Sequence, residues 1–463
     1  MSFSSPPCGP AATPTKFMKQ VFIKTYGCQM NERDTEALRA LLKSRGYAIN
    51  DDAHNADVIL LNTCSIREQA ETKAIGKLTS LLAQKKRHGT VLGILGCMAQ
   101  RQGEKLQKRI PGIDFVIGTE KLHRVADYLD EHFTDVKAKP MSTIVDIASE
   151  KNSQNKISAR DLRPHQVSTF VSIMQGCNMR CTYCIVPQTR GRERYRPMED
   201  ILEEIQQLSA HGIKEITLLG QIVNRYGQGE FPIIDKQSPF VQLLEKIQPL
   251  DGIERIRFMS PHPSGFGNDL IQCFGQLSKL CPHVHLPLQS ASDRILRAMR
   301  RPYSRDQFRQ IILRLREQIP DIALSTDIIV GFPSETEDDF NATLEFFEEI
   351  SFDMAFIFQY SPRDGTPAAL YEEQIPENTK AERQQKLLQL LEQHSHRHNQ
   401  KLIGTTQSIL VEGKARYGDT KFWGRNPGFH KIIFDGEEDL VGRFISVKIE
   451  RASTTALLGK RIS

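Results

Sequence analysis

Three cysteines stand close together in Gly176-Cys177-Asn178-Met179-Arg180-Cys181-Thr182-Tyr183-Cys184, spaced Cys-x3-Cys-x2-Cys. In a tight loop that spacing lets three sulfurs converge on one side. Thiolates are the usual ligands of iron–sulfur clusters, and a four-iron cluster normally takes four of them. Three close ligands with no obvious fourth nearby point to a cubane with one iron open to a small molecule. An open iron turns an electron carrier into a catalyst. The competing readings are a zinc site and unrelated thiols. Structural zinc wants four Cys or His ligands, commonly in pairs, and the nearest upstream histidine, His165, lies outside the loop.

A second set is dispersed. Cys28, Cys64 and Cys97 each follow an apolar run: Val21-Phe22-Ile23, Val58-Ile59-Leu60-Leu61 and Val91-Leu92-Gly93-Ile94-Leu95. A fourth run is Phe115-Val116-Ile117. Between them lie amphipathic helical stretches, such as Asp34 to Arg45 closed by Gly46, and Arg67 to Arg87. This alternation predicts a parallel sheet with helices on its faces. The carboxyl ends of such strands share one edge, where ligand sites form. Any one of these cysteines alone reads as a small buried hydrophobe. Three in equivalent topological positions read as ligands of a second three-cysteine cluster. Cys8, Cys273 and Cys281 fit neither set; Cys8 falls in the lead-in and the other two read as packing residues.

The Cys-x3-Cys-x2-Cys loop, with Tyr183 before its last cysteine, resembles the radical S-adenosylmethionine superfamily. Thr25-Tyr26-Gly27-Cys28-Gln29-Met30-Asn31, Asn62-Thr63-Cys64-Ser65-Ile66-Arg67-Glu68 and Gly96-Cys97-Met98-Ala99-Gln100 resemble the amino-terminal signatures of the methylthiotransferases. The Gln-Met-Asn and Ser-Ile-Arg-Glu segments are most similar to the branch acting on N(6)-dimethylallyladenosine in tRNA. The resemblance runs from about Lys19 to the C-terminus, apart from the polar stretch near Thr134–Pro164. It implies two [4Fe-4S] clusters per chain. Cys177, Cys181 and Cys184 would hold the one to which S-adenosylmethionine binds, and Cys28, Cys64 and Cys97 the auxiliary one. S-adenosylmethionine would serve as both methyl donor and radical source.

The elements that position the first loop can be counted. Candidate strands are Thr169–Ile173, Glu215–Leu219, Arg255–Met259, His283–Pro287, Ala323–Val330 and Asp353–Gln359, with helical segments between. Six units suit the partial β/α barrel of the superfamily. The cysteine loop then follows the first strand and opens at the carboxyl-end face, where barrel catalysis occurs. The resemblance places cofactor contacts at Gln221, Gln289, Ser290 and Asp327. Three departures from the family pattern stand nearby: Ile222 for Asn, and Ala291 and Ser334 each for Gly. Alanine resists the positive φ that glycine adopts freely.

After Cys184, Arg190, Arg192, Arg194 and Arg196 occupy every second position. In an extended segment they project to one side, and Pro197 favours extended geometry before it. Arg190 and Arg192, beside the cluster loop, are the candidate forks for a phosphate or carboxylate. Arg294, Arg297 and Arg301 share one helical face with Ile295, Leu296 and Met299 opposite, which an ordinary amphipathic helix also explains.

A helix around Glu377–Gln400 ends the barrel. Beyond it, Ser408–Val411, Lys431–Phe434 and Leu440–Ile449 read as short strands separated by glycine turns, hence a small β-barrel. Leu440-Val441-Gly442-Arg443 and the ending resemble the TRAM domain, an RNA-binding module. Phe422-Trp423-Gly424-Arg425 offers stacking and phosphate contact, with Arg425 the candidate RNA ligand. From Gln400 to Ser463 there are eleven basic and seven acidic residues, a local excess that suits a polyanion.

Composition bounds the rest. The chain has 463 residues, a net charge of +5, 25% charged and 39% hydrophobic residues, ordinary for a globular protein of two or three domains. No uncharged apolar run approaches the ~18–20 residues of a membrane span. The Ser-, Pro- and Ala-rich start lacks a basic segment followed by an apolar core, so it reads as a disordered lead-in. Nine cysteines in a chain of this size suit a reducing compartment, the cytoplasm by default.

The expected α/β architecture is a lead-in over 1–18, an N-terminal parallel-sheet domain over 19–135 and a linker over 136–162. A partial (β/α)6 radical barrel over 163–396 and a TRAM-like β-barrel over 398–462 follow. The resemblance implies a methylthiotransferase that replaces C2–H with C2–SCH3 on N(6)-dimethylallyladenosine beside the anticodon. Its partners would be tRNA, an electron donor and a sulfur or cluster supply system, with the chain a monomer away from membranes. Alternatives are a relative acting on threonylcarbamoyl-adenosine or a ribosomal-protein aspartate, an enzyme with one cluster, and a cluster-bearing RNA-binding sensor without turnover.

Overall fold

The computed structural model describes residues 18–65, 68–134, 143–150, 153, 160–418 and 420–462. Cys8, the lead-in before Met18, and Ile66-Arg67 of the second signature lie outside the described residues.

The N-terminal domain is a six-stranded parallel sheet in the order β2-β1-β3-β4-β5-β6. Its strands are β1 (Gln20–Tyr26), β2 (Ala48–Ile49), β3 (Val58–Thr63), β4 (Val91–Gly96), β5 (Phe115–Ile117) and β6 (Ile144–Asp146). β3 and β4 are buried at every position, as strands covered on both faces must be. The polar stretch 136–162 is more than a linker: β6 arises there and pairs with β5, Phe115 opposite Ile144. Three residues in polar surroundings carry too little periodicity to be seen in sequence. Helix α1 (Gln29–Ser44) starts directly after Cys28, five residues ahead of the expected Asp34, and α2 covers Glu68–His88. A third helix, α3 (Cys97–Gln102), begins on a cysteine.

The central domain places β7 (Ser168–Ser172), β10 (Glu215–Leu219), β11 (Arg255–Phe258), β12 (His283–His285), β13 (Ala323–Val330) and β14 (Met354–Gln359) where the six strands were expected. A short antiparallel pair, β8 (Met174–Gln175) and β9 (Arg194–Tyr195), flanks the cysteine loop. Two parallel sheets, β7-β10-β11 and β12-β13-β14, are joined by a bridge between Ile256 and Leu280. The row curls into a partial barrel with β7 and β14 at its ends. Ile216, Leu218, Ile256, Phe258, Leu324 and Ile328 face the helices and form the core. By alternation, Glu215, Thr217, Arg255, Arg257, His283, His285, Ser325 and Asp327 face the lumen.

The C-terminal domain is a closed five-stranded barrel, β15-β16-β17-β19-β18. Its strands are β15 (Thr406–Lys414), β16 (Lys421–Arg425), β17 (Lys431–Asp435), β18 (Phe444–Ala452) and β19 (Leu457–Arg461). Phe422 to Arg425, read as a surface motif, is itself a strand. The barrel seals the amino-terminal end of the lumen. Arg255 donates to the carbonyls of Arg425 (2.7 Å) and Ser408 (3.0 Å), and Arg257 to those of Pro427 (2.8 Å) and Asn426 (2.9 Å). Phe429 stacks on His283 at 4.9 Å between ring centres. Helix Glu377–Lys401 runs from β14 to this barrel. Among the described residues no helix is long and apolar enough to cross a membrane.

Candidate metal centres on two parallel sheets

Register explains how the dispersed cysteines meet. Tyr26 pairs with Thr63, and Thr63 with Gly96, so the ends of β1, β3 and β4 lie level. Cys64 and Cys97 follow directly on that edge, and Cys28 follows after Gly27. Gly27 is required there, because a Cβ on it would lie 2.5 Å from Cys64 Cβ. Below the thiols, Asn31 donates to Asn62 Oδ1 (3.0 Å) and to the Thr63 carbonyl (3.1 Å), and Asn62 donates to the Asn31 carbonyl (2.9 Å). The signature asparagines thus tie the start of α1 to the end of β3. A hydrogen bond from Cys64, opposed by burial and aided by the Arg190 charge, brings the Cys28 thiol down to about 6. Burial pushes Cys97 up, with Arg190 working against it.

Arg190 belongs to this site although it comes from the central domain. It is buried, lies 2.7 Å from Asp34 and donates to Asn31 Oδ1 at 3.4 Å. Burial opposes its charge, but Asp34, Cys97 and Cys28 outweigh that and keep it protonated. The expected row of four aligned arginines is not what forms. Val186–Arg190 is helical and Gly191 turns the chain, so the four diverge. Arg190 goes to Asp34, Arg192 is exposed, Arg194 meets Glu120 (2.5 Å) and Arg196 meets Glu204 (2.5 Å). Arg190 is therefore not presented to an outside phosphate.

The second triad sits in the loop after β8. Gly176 has φ 79°, and a Cβ there would lie 2.0 Å from the Arg192 carbonyl oxygen. Cys177 N–H donates to the Gly191 carbonyl (3.1 Å), and Cys184 N–H to that of Cys181 (3.1 Å), which closes the turn. Thr182 donates to the carbonyls of Met299 and Ala298 at 3.1 and 2.9 Å, pinning the loop to the barrel. Arg301 Nη1 stands 3.5 Å from Cys181 Sγ and its Nε donates to Tyr303 Oη at 3.0 Å. Burial pushes Cys177 to about 11 and Cys184 to about 12, and the Cys181 charge adds to both. Crowded buried thiols resist becoming thiolates together, and a bound cation reverses that. Among the described residues no three such side chains share one ion-sized point. A cubane takes one thiolate per iron, and three crowded thiols from one short loop are the donor chemistry that such a cluster uses.

Cys184 and Arg190 are six residues apart, mostly helical. A chain that short spans less than about 20 Å. The two sites are therefore near neighbours.

The expected cofactor contacts divide. Gln221 keeps a buried amide oxygen without a partner among the described residues, as a residue awaiting a ligand would. Gln289 adopts φ 71° and bridges to β13 through its backbone. Ser290 is committed elsewhere: its hydroxyl lies 3.3 Å from that of Thr343 and accepts from Ser292 N–H at 3.2 Å, on the helix side of the strand end. Asp327 faces the lumen, 3.4 Å from His285 Nε2. Ala291 keeps negative φ, whereas Ser334 sits at φ 68°. Arg425 is held by Glu412 (2.7 Å) and lies over the Trp423 and Phe429 rings at 5.0 and 4.8 Å, so it packs the barrel rather than standing free for RNA.

Sequence reasoning put Arg301 on an amphipathic helix with Arg294 and Arg297, and it missed His262. The helix bearing Arg294 ends at Ala298, which frees Arg301 to turn to the cysteine loop. His262 Nδ1 accepts from Ser264 N–H (3.1 Å), while its buried Nε2 has no partner among the described residues. Burial and the charges of Arg301 and Arg225 push its pKa down to about 2, so the ring is neutral. A lone histidine after a strand carries no spacing signal that would have found it.

Residues 20–118 match the family described as "Uncharacterized protein family UPF0004", and residues 171–347 match the Radical SAM superfamily. The chain is 51% identical to a tRNA-2-methylthio-N(6)-dimethylallyladenosine synthase of Opitutus terrae over 96% of this chain and 97% of that protein. It is 47% identical to the synthase of that name from Akkermansia muciniphila, over 96% and 98%. Among solved structures it resembles a radical S-adenosylmethionine methyltransferase of Kitasatospora setae, with a TM-score of 0.56 and 13% identity, over 76% of this chain and 74% of that one. That last likeness is one of fold. The chain belongs to the methylthiotransferase family of radical S-adenosylmethionine enzymes, with tRNA-2-methylthio-N(6)-dimethylallyladenosine synthases as its near relatives.

Proposed function

We propose that the chain converts N(6)-dimethylallyladenosine, next to the anticodon of tRNA, to its 2-methylthio derivative. The observation that carries this reading is the pairing of two cysteine triads across one domain interface, joined by Arg190, in a chain of this family. The target C2–H bond is neither acidic nor polarised, so side-chain acid–base catalysis offers little and cofactors must supply the reactivity. Two [4Fe-4S] clusters, one on Cys177, Cys181 and Cys184 and one on Cys28, Cys64 and Cys97, together with S-adenosylmethionine would supply a radical, a sulfur and a methyl group.

The protein's own residues do the positioning. Arg301 holds Cys181 from one side, and Thr182 fastens the loop to the barrel. Gln221 and Gln289 stand at the strand ends where the cofactor would lie. Arg190, Asp34 and Asn31 fix the separation of the two centres. On the C-terminal barrel, Lys431 over the Trp423 ring (5.1 Å), Lys448 and Arg451 are exposed and would offer basic contacts to tRNA.

The test is mass spectrometry of nucleosides from total tRNA with the gene deleted and restored. Loss of methylthiolated dimethylallyladenosine, with accumulation of the unthiolated form, is the expected result. A normal profile for that nucleoside overturns the substrate and directs attention to threonylcarbamoyl-adenosine and ribosomal proteins.

A further inference from the structure

Neither cysteine site uses the inner face of β14. Along this strand Ala355 and Ile357 turn to the helix-covered core. Met354, Phe356 and Phe358 therefore face the lumen by alternation. Met354 is 37% and Phe356 38% exposed. Phenylalanine is among the residues most often buried, and adjoining exposed apolar side chains on a concave face mark a ligand surface. The Phe356 and Phe358 rings lie 6.4 Å apart and within 14° of parallel.

The wall has a polar neighbour in register. Asp327 pairs with Phe356, and Ile329 with Phe358. The Asp327 side chain is 25% exposed and lies 3.4 Å from His285 Nε2. His285 Nδ1 stands 3.0 Å from Ser325 Oγ, and the ring meets Phe356 edge-on at 5.8 Å. One oriented carboxylate thus stands beside an apolar wall. The wall reaches the reactive mouth, since Ile329 packs in the same cluster as Tyr183 of the cysteine loop. Its other end is closed by Phe429 stacked on His283.

That combination selects one kind of occupant. A base whose exocyclic nitrogen carries a branched five-carbon chain presents a single N–H next to an apolar group. A threonylcarbamoyl substituent carries its own carboxylate, which would meet Asp327 with repulsion and leave a charge against the phenyl rings. Resting on the function proposed above, we infer that Phe356 and Phe358 take the dimethylallyl group of the substrate base while Asp327 accepts its N6–H.

The experiment uses the reconstituted full chain and three anticodon stem-loop RNAs, identical except for dimethylallyladenosine, adenosine or threonylcarbamoyl-adenosine at the target position. Binding and turnover are measured for the wild type and for Phe356→Ser, Phe358→Ser and Phe356→Leu, each first checked for normal iron content. Phe356→Ser and Phe358→Ser are expected to lower the preference for dimethylallyladenosine over adenosine by roughly 10- to 100-fold, the scale of lost apolar pocket contacts. Phe356→Leu is expected to restore most of it. A preference unchanged in both serine variants overturns the pocket and leaves the function standing. A wild type that prefers the threonylcarbamoyl RNA, or shows no preference, overturns the function and the pocket with it.

Discussion

The guanidinium of Arg190 lies 2.7 Å from the carboxylate of Asp34, across the boundary between the radical barrel and the N-terminal sheet. Both are buried, and Cys97 and Cys28 are the next groups whose thiolates the Arg190 charge favours. The pair places a permanent positive charge from one domain beside the thiols of the other.

Arg190→Gln leaves Asp34 buried without its partner, a change that typically costs about 3–5 kcal/mol. It also removes a positive charge beside the auxiliary centre. In a chain whose Cys177, Cys181 and Cys184 are replaced by alanine, the remaining cluster is expected to shift to a lower midpoint potential by roughly 60 mV or more, a tenfold change in a one-electron equilibrium. Redox titration followed by electron paramagnetic resonance reads this. An unchanged potential removes Arg190 from the auxiliary site's electrostatics.

Cys64→Ala is expected to reduce iron from about eight to about four per chain, counting four per cubane. The methylthiolated product should disappear, while 5′-deoxyadenosine still forms under reducing conditions. Iron that stays constant in this variant contradicts a second cluster on β3.

Glu204 supplies a pH dependence with a definite sign. Burial raises its pKa, but the charges of Arg160, Arg33 and Arg196 outweigh burial and hold it at about 2, below the ordinary 4.5. Stability from this carboxylate is therefore fully present above pH 4.5 and is lost as pH falls toward 2. Its size is on the order of 3 kcal/mol. Glu204→Gln should lower the melting temperature near pH 7 and flatten its fall below pH 4.5. An acid limb equally steep in the variant assigns the loss to other carboxylates.

Arg257→Leu breaks two bonds to the C-terminal barrel and the 3.0 Å contact with Glu215. Limited proteolysis is expected to cut near the end of helix Glu377–Lys401 well before it does in the wild type, and tRNA affinity to fall. Matching digestion patterns would falsify the docking role of this arginine.

Ser334 holds left-handed backbone, φ 68°, where the family pattern has glycine. Removing its Cβ relieves about 1 kcal/mol, offset in part by loss of the 3.3 Å bond from Arg294. Ser334→Gly should therefore leave thermal stability equal or slightly higher. A clear loss would mean that the Arg294 bond dominates.

The parts of this architecture that depend on period and punctuation were legible in the chain. Val58–Leu61 and Val91–Leu95 are unbroken apolar runs, and they became the two fully buried central strands. The six barrel strands likewise fell where the alternation put them. What escaped depends on meeting partners distant in sequence. β6 is recognisable only once β5 offers an edge, and Arg190 only once Asp34, 156 positions earlier, is folded against it. Reading residues 190–196 as one extended row failed because helix Val186–Arg190 and the Gly191 turn separate the four side chains. Ser290 sat at the expected strand end, yet Thr343 from a later helix claims its hydroxyl.

Helix Val186–Arg190 packs onto α3, and beneath that contact Cys64 and Cys97 are 0% and 3% exposed. The consequence concerns how the auxiliary site is reached. A cluster held by this triad would take its iron and sulfide past Cys28, which stays partly exposed, whereas Cys64 and Cys97 are covered where the barrel packs on the sheet. Access to the triad is therefore asymmetric, open on the β1 side and shut over β3 and β4.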